Sequence, residues 1–155
     1  MTPAINILKK AKVDYKVHEY THDSQNLSYG LEAVEKMGVQ ESRVFKTLVV
    51  SVESNLFVVA VIPVSSMLSM KLIAKGVGVK RASMADALAV ERSTGYVLGG
   101  VSPLGQKKKL KTIIDSCAEN FSTIYISAGR RGLEIELNPN DLKNLTGGKF
   151  MDISQ

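Results

Sequence analysis

Cysteine, histidine and tryptophan are nearly missing from this chain, which has one Cys, two His and no Trp in 155 residues. The lone Cys117 excludes an internal disulfide and fits a reducing compartment. It stands between Ser116 and Ala118 with no basic neighbour, which suits a buried inert thiol better than a nucleophile. His18 and His22 are four residues apart in a strand-to-loop context, too few ligands at poor spacing for zinc. No apolar run approaches the ~20 residues that cross a bilayer, and the longest, residues 56–64, has strand length. The opening Met1-Thr2-Pro3-Ala4-Ile5-Asn6 lacks the layout of a signal peptide. The expectation is a soluble, cytoplasmic protein with no metal, no cofactor and no membrane partner. Aromatics make up only 6%, and none interleaves the lysines, which argues against a platform for stacking a run of bases.

Two nucleotide and hydrolase motifs are near misses in 100–108. A nucleophile elbow needs Gly two residues after its Ser and an N–H from the residue between them. Here Gly105 comes three after Ser102, and Pro103 has no N–H. Gly100 and Gly105 have phosphate-loop separation, but Gln106-Lys107-Lys108 follows where Gly-Lys-Ser/Thr is required.

What is present reads as one domain over 1–155, with 45% hydrophobic and 23% charged residues. Thr2-Pro3 opens a helix whose inner positions are Ile5, Leu8 and Ala11. Val13, Tyr15 and Val17 alternate as a half-buried strand. Leu31, Val34 and Met37 share a helical face, Glu32 and Lys36 form an i,i+4 pair, and Gly38 stops the helix. Residues 44–52 and 56–64 form a hairpin across Glu53-Ser54-Asn55. Ser69 and Ser83 cap short helices over 70–75 and 84–90. Strands follow at 110–114, 123–127 and 133–137, then a helix from Asn138-Pro139 to Gly147-Gly148 and an edge strand over 150–153. This order predicts an α/β (α+β) domain, a twisted mixed β-sheet with flanking short helices, rather than a doubly wound fold.

Three features carry chemistry. Between Lys71 and Lys111 nine basic residues stand against Asp86 and Glu91, a net +7 in a chain of +5, which is the footprint of a polyanion partner or a solvated lysine face. On the strand from Val44, Lys46 shares a face with Leu48 and Val50 and points inward, where an ammonium needs an anion, a solvated cleft or a shifted pKa. Gly95, Gly99, Gly100 and Gly105 fall within eleven residues, where backbone N–H groups could face a ligand or simply form a loop.

Several stretches resemble the YbaK and prolyl-tRNA-synthetase editing-domain family across essentially the whole chain. They are Met1-Thr2-Pro3-Ala4, Phe45-Lys46-Thr47-Leu48, Arg92-Ser93-Thr94-Gly95-Tyr96 and 99–108, then 123–127 and 131–137. The resemblance implies removal of a wrong amino acid from tRNA, chiefly cysteine from tRNA for proline, with Cys-tRNA(Cys) a further substrate. It makes Lys46 essential and lines the site with Tyr20, Phe45, Thr47, the pair Gly99-Gly100, Ser102, Pro103 and Ser127. The partner is the 3′ end of an aminoacyl-tRNA, with prolyl-tRNA synthetase as an associated protein. Ala128 departs from a common glycine and Arg130 from a common lysine. With no serine, cysteine or metal nucleophile, the implied chemistry is attack by the substrate cysteine's own thiol, with the Gly99 and Gly100 amides holding the oxyanion. Two alternatives stay open: alanyl-tRNA as the main substrate, and a non-catalytic module that binds tRNA ends or a synthetase.

Overall fold

Thr2 and Pro3 start the first helix as the sequence predicts: α1 (Pro3–Ala11) has Thr2 Oγ1 accepting from the Ile5 N–H at 3.3 Å. Its buried stripe is Ala4, Ile5 and Leu8, and Ala11 is exposed. β1 (Tyr15–Glu19) follows, with Val17 facing out. In α2 (Tyr29–Met37) Val34 and Met37 of the predicted face pack partly buried on the core beside the buried Glu32 and Ala33, while Leu31 is exposed. The expected Glu32–Lys36 pair is made at 3.3 Å, and Gly38 ends the helix in the left-handed region.

The computed structural model describes residues 1–53 and 56–155. Ser54 and Asn55 of the predicted turn lie outside those residues, but the two strands they join are paired. β2 (Phe45–Ser51) and β3 (Phe57–Pro63) run antiparallel in the register Lys46–Ile62 and Leu48–Ala60. α3 (Met70–Val77) takes Ser69 as its cap. The second cap differs from the expectation: Ser83–Met84 forms a short strand, β4, on the edge of β2, and Asp86 caps α4 (Ala87–Thr94) by accepting from the Ala89 N–H at 2.8 Å. Strand pairing with Val50 and Ser51 takes Ser83 out of cap geometry, and the next capping side chain along the chain starts the helix. β5 (Lys111–Asp115), β6 (Ile124–Arg130), β7 (Leu133–Leu137), α5 (Pro139–Thr146) and β8 (Lys149–Met151) complete the chain close to the predicted positions.

The strands make two sheets rather than one. A five-stranded mixed sheet has the order β4-β2-β3-β5-β8, and a three-stranded antiparallel sheet the order β1-β7-β6. The large sheet is covered on both faces, which is why β3 is an unbroken apolar run. Phe45, Val49, Val59 and Val61 join Ile126 and Ile135 of the small sheet and Leu8 of α1 in the main core. Val50, Val58, Ala60 and Ile62 pack with Ile73 of α3 on the other side.

The sheets meet at the start of β2. Val44 forms a parallel bridge to Tyr125. Arg43 donates from Nε to the Thr123 carbonyl at 3.1 Å and from its terminal amine to Thr123 Oγ1, and its guanidinium lies 5.1 Å from the Tyr125 ring centre. Glu136 accepts from Thr123 Oγ1 at 2.6 Å and lies 2.9 Å from His18 Nε2. This junction sets Lys46, two residues along β2, beside Ser127 on β6. No helix among the described residues is long and apolar enough to cross a membrane.

Candidate active site

A cavity of about 160 Å³ opens at that junction, walled by Tyr20, Tyr29, Lys46, Gly99, Ser127 and Glu134, with Phe45 and Thr47 contributing from β2. Lys46 is half-buried, and among the described residues it makes no hydrogen bond or ion pair. Its desolvation holds the ammonium below its ordinary pKa. Lys46 shares its strand face with Leu48 and Val50, and with Leu48 it lines the cavity.

Glu134 is the residue that sequence reasoning missed. It lies opposite Ser127 in the β6–β7 register, is 7% exposed, and lines the cavity. Burial pushes its carboxyl up to about 8, and among the described residues no donor offsets the cost. Tyr20 stands beside it, and burial followed by the Glu134 and Glu32 carboxylates raises the phenol to about 12. Thr47 Oγ1 is buried and has no partner among the described residues. Ser127 Oγ accepts from the Gly129 N–H at 3.1 Å and, among the described residues, is not hydrogen-bonded to a base.

The glycine loop closes one side. Gly99 has φ +87°, and a Cβ there would fall 2.5 Å from Arg131 Nε and 2.7 Å from the Tyr29 ring, so only glycine lets the loop lie this close. Gly100 is packed on the Arg130 backbone, and its N–H donates to the Val97 carbonyl at 3.0 Å. That N–H serves the turn, and Gly99 alone of the pair lines the cavity. Ser102 is fully buried, with Oγ accepting from the Leu104 N–H at 3.2 Å, and Pro103 lines a separate cavity with Ile7 and Lys108. Both residues brace the loop from behind. Cys117 is remote from the site, and burial followed by Asp115 pushes its thiol up to about 12.

The outer wall is held by Glu32, which is 1% exposed. Its carboxylate accepts from the Asp23 N–H at 2.8 Å, contacts His22 Nδ1 at 2.5 Å and pairs with Lys36. Burial works to raise its pKa, but the Asp23 amide, His22 and Lys36 outweigh it and hold the carboxyl below 4.5. The segment carrying Tyr20 is thereby tied to the helix carrying Tyr29. Glu32→Ala should cost about 2–3 kcal/mol in urea unfolding at pH 7, because several donors lose one buried acceptor. The depressed carboxyl stabilises the fold above about pH 4.5 and loses that effect as pH falls, so the variant's deficit should shrink on acidification.

Comparison with known proteins places this geometry in context. Residues 28–145 match the family described as the aminoacyl-tRNA editing domain. EbsC of Enterococcus faecalis, a candidate Cys-tRNA(Pro)/Cys-tRNA(Cys) deacylase, is 39% identical over 153 residues, 99% of this chain and 93% of its own. YwhH of Bacillus subtilis, an uncharacterised protein, is 29% identical over 118 residues, 76% of this chain and 74% of its own. Among solved structures, hypothetical protein APE2540 superposes with a TM-score of 0.89 at 25% identity, covering 99% of both chains. A candidate trans-editing enzyme for prolyl-tRNA synthetase superposes at 0.86 with 20% identity, over 99% of this chain and 95% of its own, which shows the shared fold.

Proposed function

The chain belongs to the aminoacyl-tRNA editing-domain family, and from that membership we propose that it is a deacylase that removes wrongly attached cysteine from tRNA for proline. The observation that carries the reading is the cavity itself. It is of amino-acid size and, among the described residues, is walled by an ammonium and a carboxyl group that have no partner and by hydroxyls that are not hydrogen-bonded to a base. A void of roughly 150 Å³ holds one benzene, and a cysteinyl group has as many heavy atoms.

Cleavage then uses the substrate's own thiol. The sulfur attacks the ester carbonyl carbon, a C–S bond forms, and the C–O bond to the ribose breaks. The products are a cyclic thiolactone and tRNA with a free terminal hydroxyl, the thiol proton ending on the ribose oxygen. Glu134 takes the thiol proton, since a carboxyl near 8 is matched to a thiol near ~8.5. The Gly99 N–H faces the developing oxyanion. Lys46 orients the tRNA end through ribose or phosphate oxygens. Tyr20, Phe45, Thr47 and Ser127 shape the acyl pocket, while Gly100, Ser102 and Pro103 hold the loop that presents Gly99. The basic surface from Lys71 to Lys111 meets the acceptor stem, with prolyl-tRNA synthetase as the associated source of substrate.

Release of labelled cysteine, alanine and serine from tRNA for proline tests this. Cysteine should leave roughly a hundredfold faster or more, because an intramolecular nucleophile at close range replaces bulk water. Faster alanine release would overturn thiol attack and leave editing in place. No release of any of the three would favour a module that binds the tRNA end without turnover.

A further inference from the structure

The acyl cavity is too small for a nucleoside, so the last nucleotide of a bound tRNA must lie outside it, against the mouth. At the mouth stands Arg131, solvent-exposed and in the cavity wall. Its guanidinium is stacked over the Tyr29 ring, 4.1 Å from the centre, and its terminal amine donates to the Leu98 carbonyl at 2.8 Å. Gly99 packs against both side chains. A long arginine is thus held flat by an aromatic ring on one face and a carbonyl at its edge. Ordering it beforehand removes part of the entropy cost of binding. Arg131 is an exposed residue, and on the loop whose Leu98 carbonyl it holds, the side chains of Leu98 and Val97 are 47% and 57% exposed, an apolar rim on a loop that otherwise turns inward.

We infer that the guanidinium face turned away from Tyr29 is a nucleobase subsite, on which the terminal adenine of the tRNA stacks with Leu98 and Val97 along its edge. Guanidinium planes and aromatic rings are the surfaces on which proteins stack unpaired bases, and here one is layered on the other. The inference rests on the editing reading for the identity of its ligand, and it adds to that reading the contact that fixes how far the acyl group reaches in. With the adenine seated at Arg131, the ribose ester lies between Gly99 and Lys46, both of which line the same cavity. Arg130, the neighbouring cation, pairs instead with Glu19 at 3.1 Å on the outer surface.

The test is titration of isotope-labelled protein with adenosine 5′-monophosphate and with ribose 5-phosphate, followed by amide NMR. The wild type should bind the nucleotide roughly tenfold more tightly than the sugar phosphate, the effect of one stacked base. The shifts should centre on residues 97–100 and 131. Arg131→Ala should erase the difference, and Arg131→Lys, which keeps the charge and loses the plane, should erase it as well. Equal binding of the two probes by the wild type, an undiminished preference in Arg131→Lys, or shifts centred elsewhere would each overturn the subsite. The readout is binding of a free nucleotide, so failure to release cysteine from tRNA would sink the editing reading without touching this result.

Discussion

Lys46→Ala should lower single-turnover release of cysteine from tRNA by about a hundredfold to a thousandfold, the effect of removing one preorganised charged contact from a reacting ester. The reason lies in where the ammonium sits. It is half-buried, it lies below its ordinary pKa through desolvation, and among the described residues no protein carboxylate pairs with it. Such a cation is destabilising until an anion or a polar oxygen arrives, so its interaction energy is available to the substrate. Lys46→Met keeps the aliphatic stem and removes the charge, and it should be as inactive as the alanine variant. Lys46→Arg should also fail, since a planar fork cannot occupy the place of a compact ammonium on a crowded strand. Lys46→Met should unfold at or above the wild-type denaturant midpoint, because the native state loses a desolvated charge and, among the described residues, no partner. Activity of Lys46→Met within tenfold of wild type would remove Lys46 from the reaction.

The sequence was most legible where one local rule governs. Thr2, Ser69 and Asn138 cap helices as read, because a capping side chain and a following helical stripe act over four residues. The paired runs of β2 and β3 announce a hairpin by length and β-branching alone. Lys46 was found because a charge on the inward parity of an apolar strand contradicts its neighbours. Glu134 escaped the same reasoning. In Leu133-Glu134-Ile135-Glu136-Leu137 both glutamates alternate with apolar residues, which is what a sheet with one wet face looks like. Glu136 behaves that way and remains partly exposed, whereas the face above Glu134 is roofed by Tyr20 from before α2 and by the start of β2. That roof is a contact between distant segments, invisible to periodicity. The same limit applies to the glycine loop. Gly99, Gly100, Ser102 and Pro103 read as a single site-lining run, and the structure turns Gly99 to the cavity while the Gly100 N–H and Ser102 are used inside the loop.

Glu134→Gln should stabilise the protein and impair it at once. The carboxyl has a pKa of about 8 in the fold against 4.5 as the ordinary value. A raised carboxyl pKa means that the folded state holds its proton where the unfolded chain has released it. Stability is therefore lost progressively as pH climbs from about 4.5 to about 8 and is level beyond. At pH 7 the loss amounts to about 3 kcal/mol, and a neutral glutamine of the same shape does not incur it. The variant should melt roughly 10 °C higher at pH 7, with no advantage near pH 4.5. Wild-type cysteine release should rise with pH through about 8 as the carboxylate appears. The glutamine variant, which cannot accept the thiol proton, should be slower by about a hundredfold, the size of a general-base contribution. Its remaining rate should track only ionisation of the substrate thiol, near ~8.5. The two readouts separate the explanations: a variant as active as wild type would leave Glu134 a buried structural acid, and one no more stable at pH 8 than at pH 5 would mean that its charge is already compensated. Gain of stability with loss of turnover is the signature of a carboxyl group buried at the reaction site for a substrate that brings its own nucleophile.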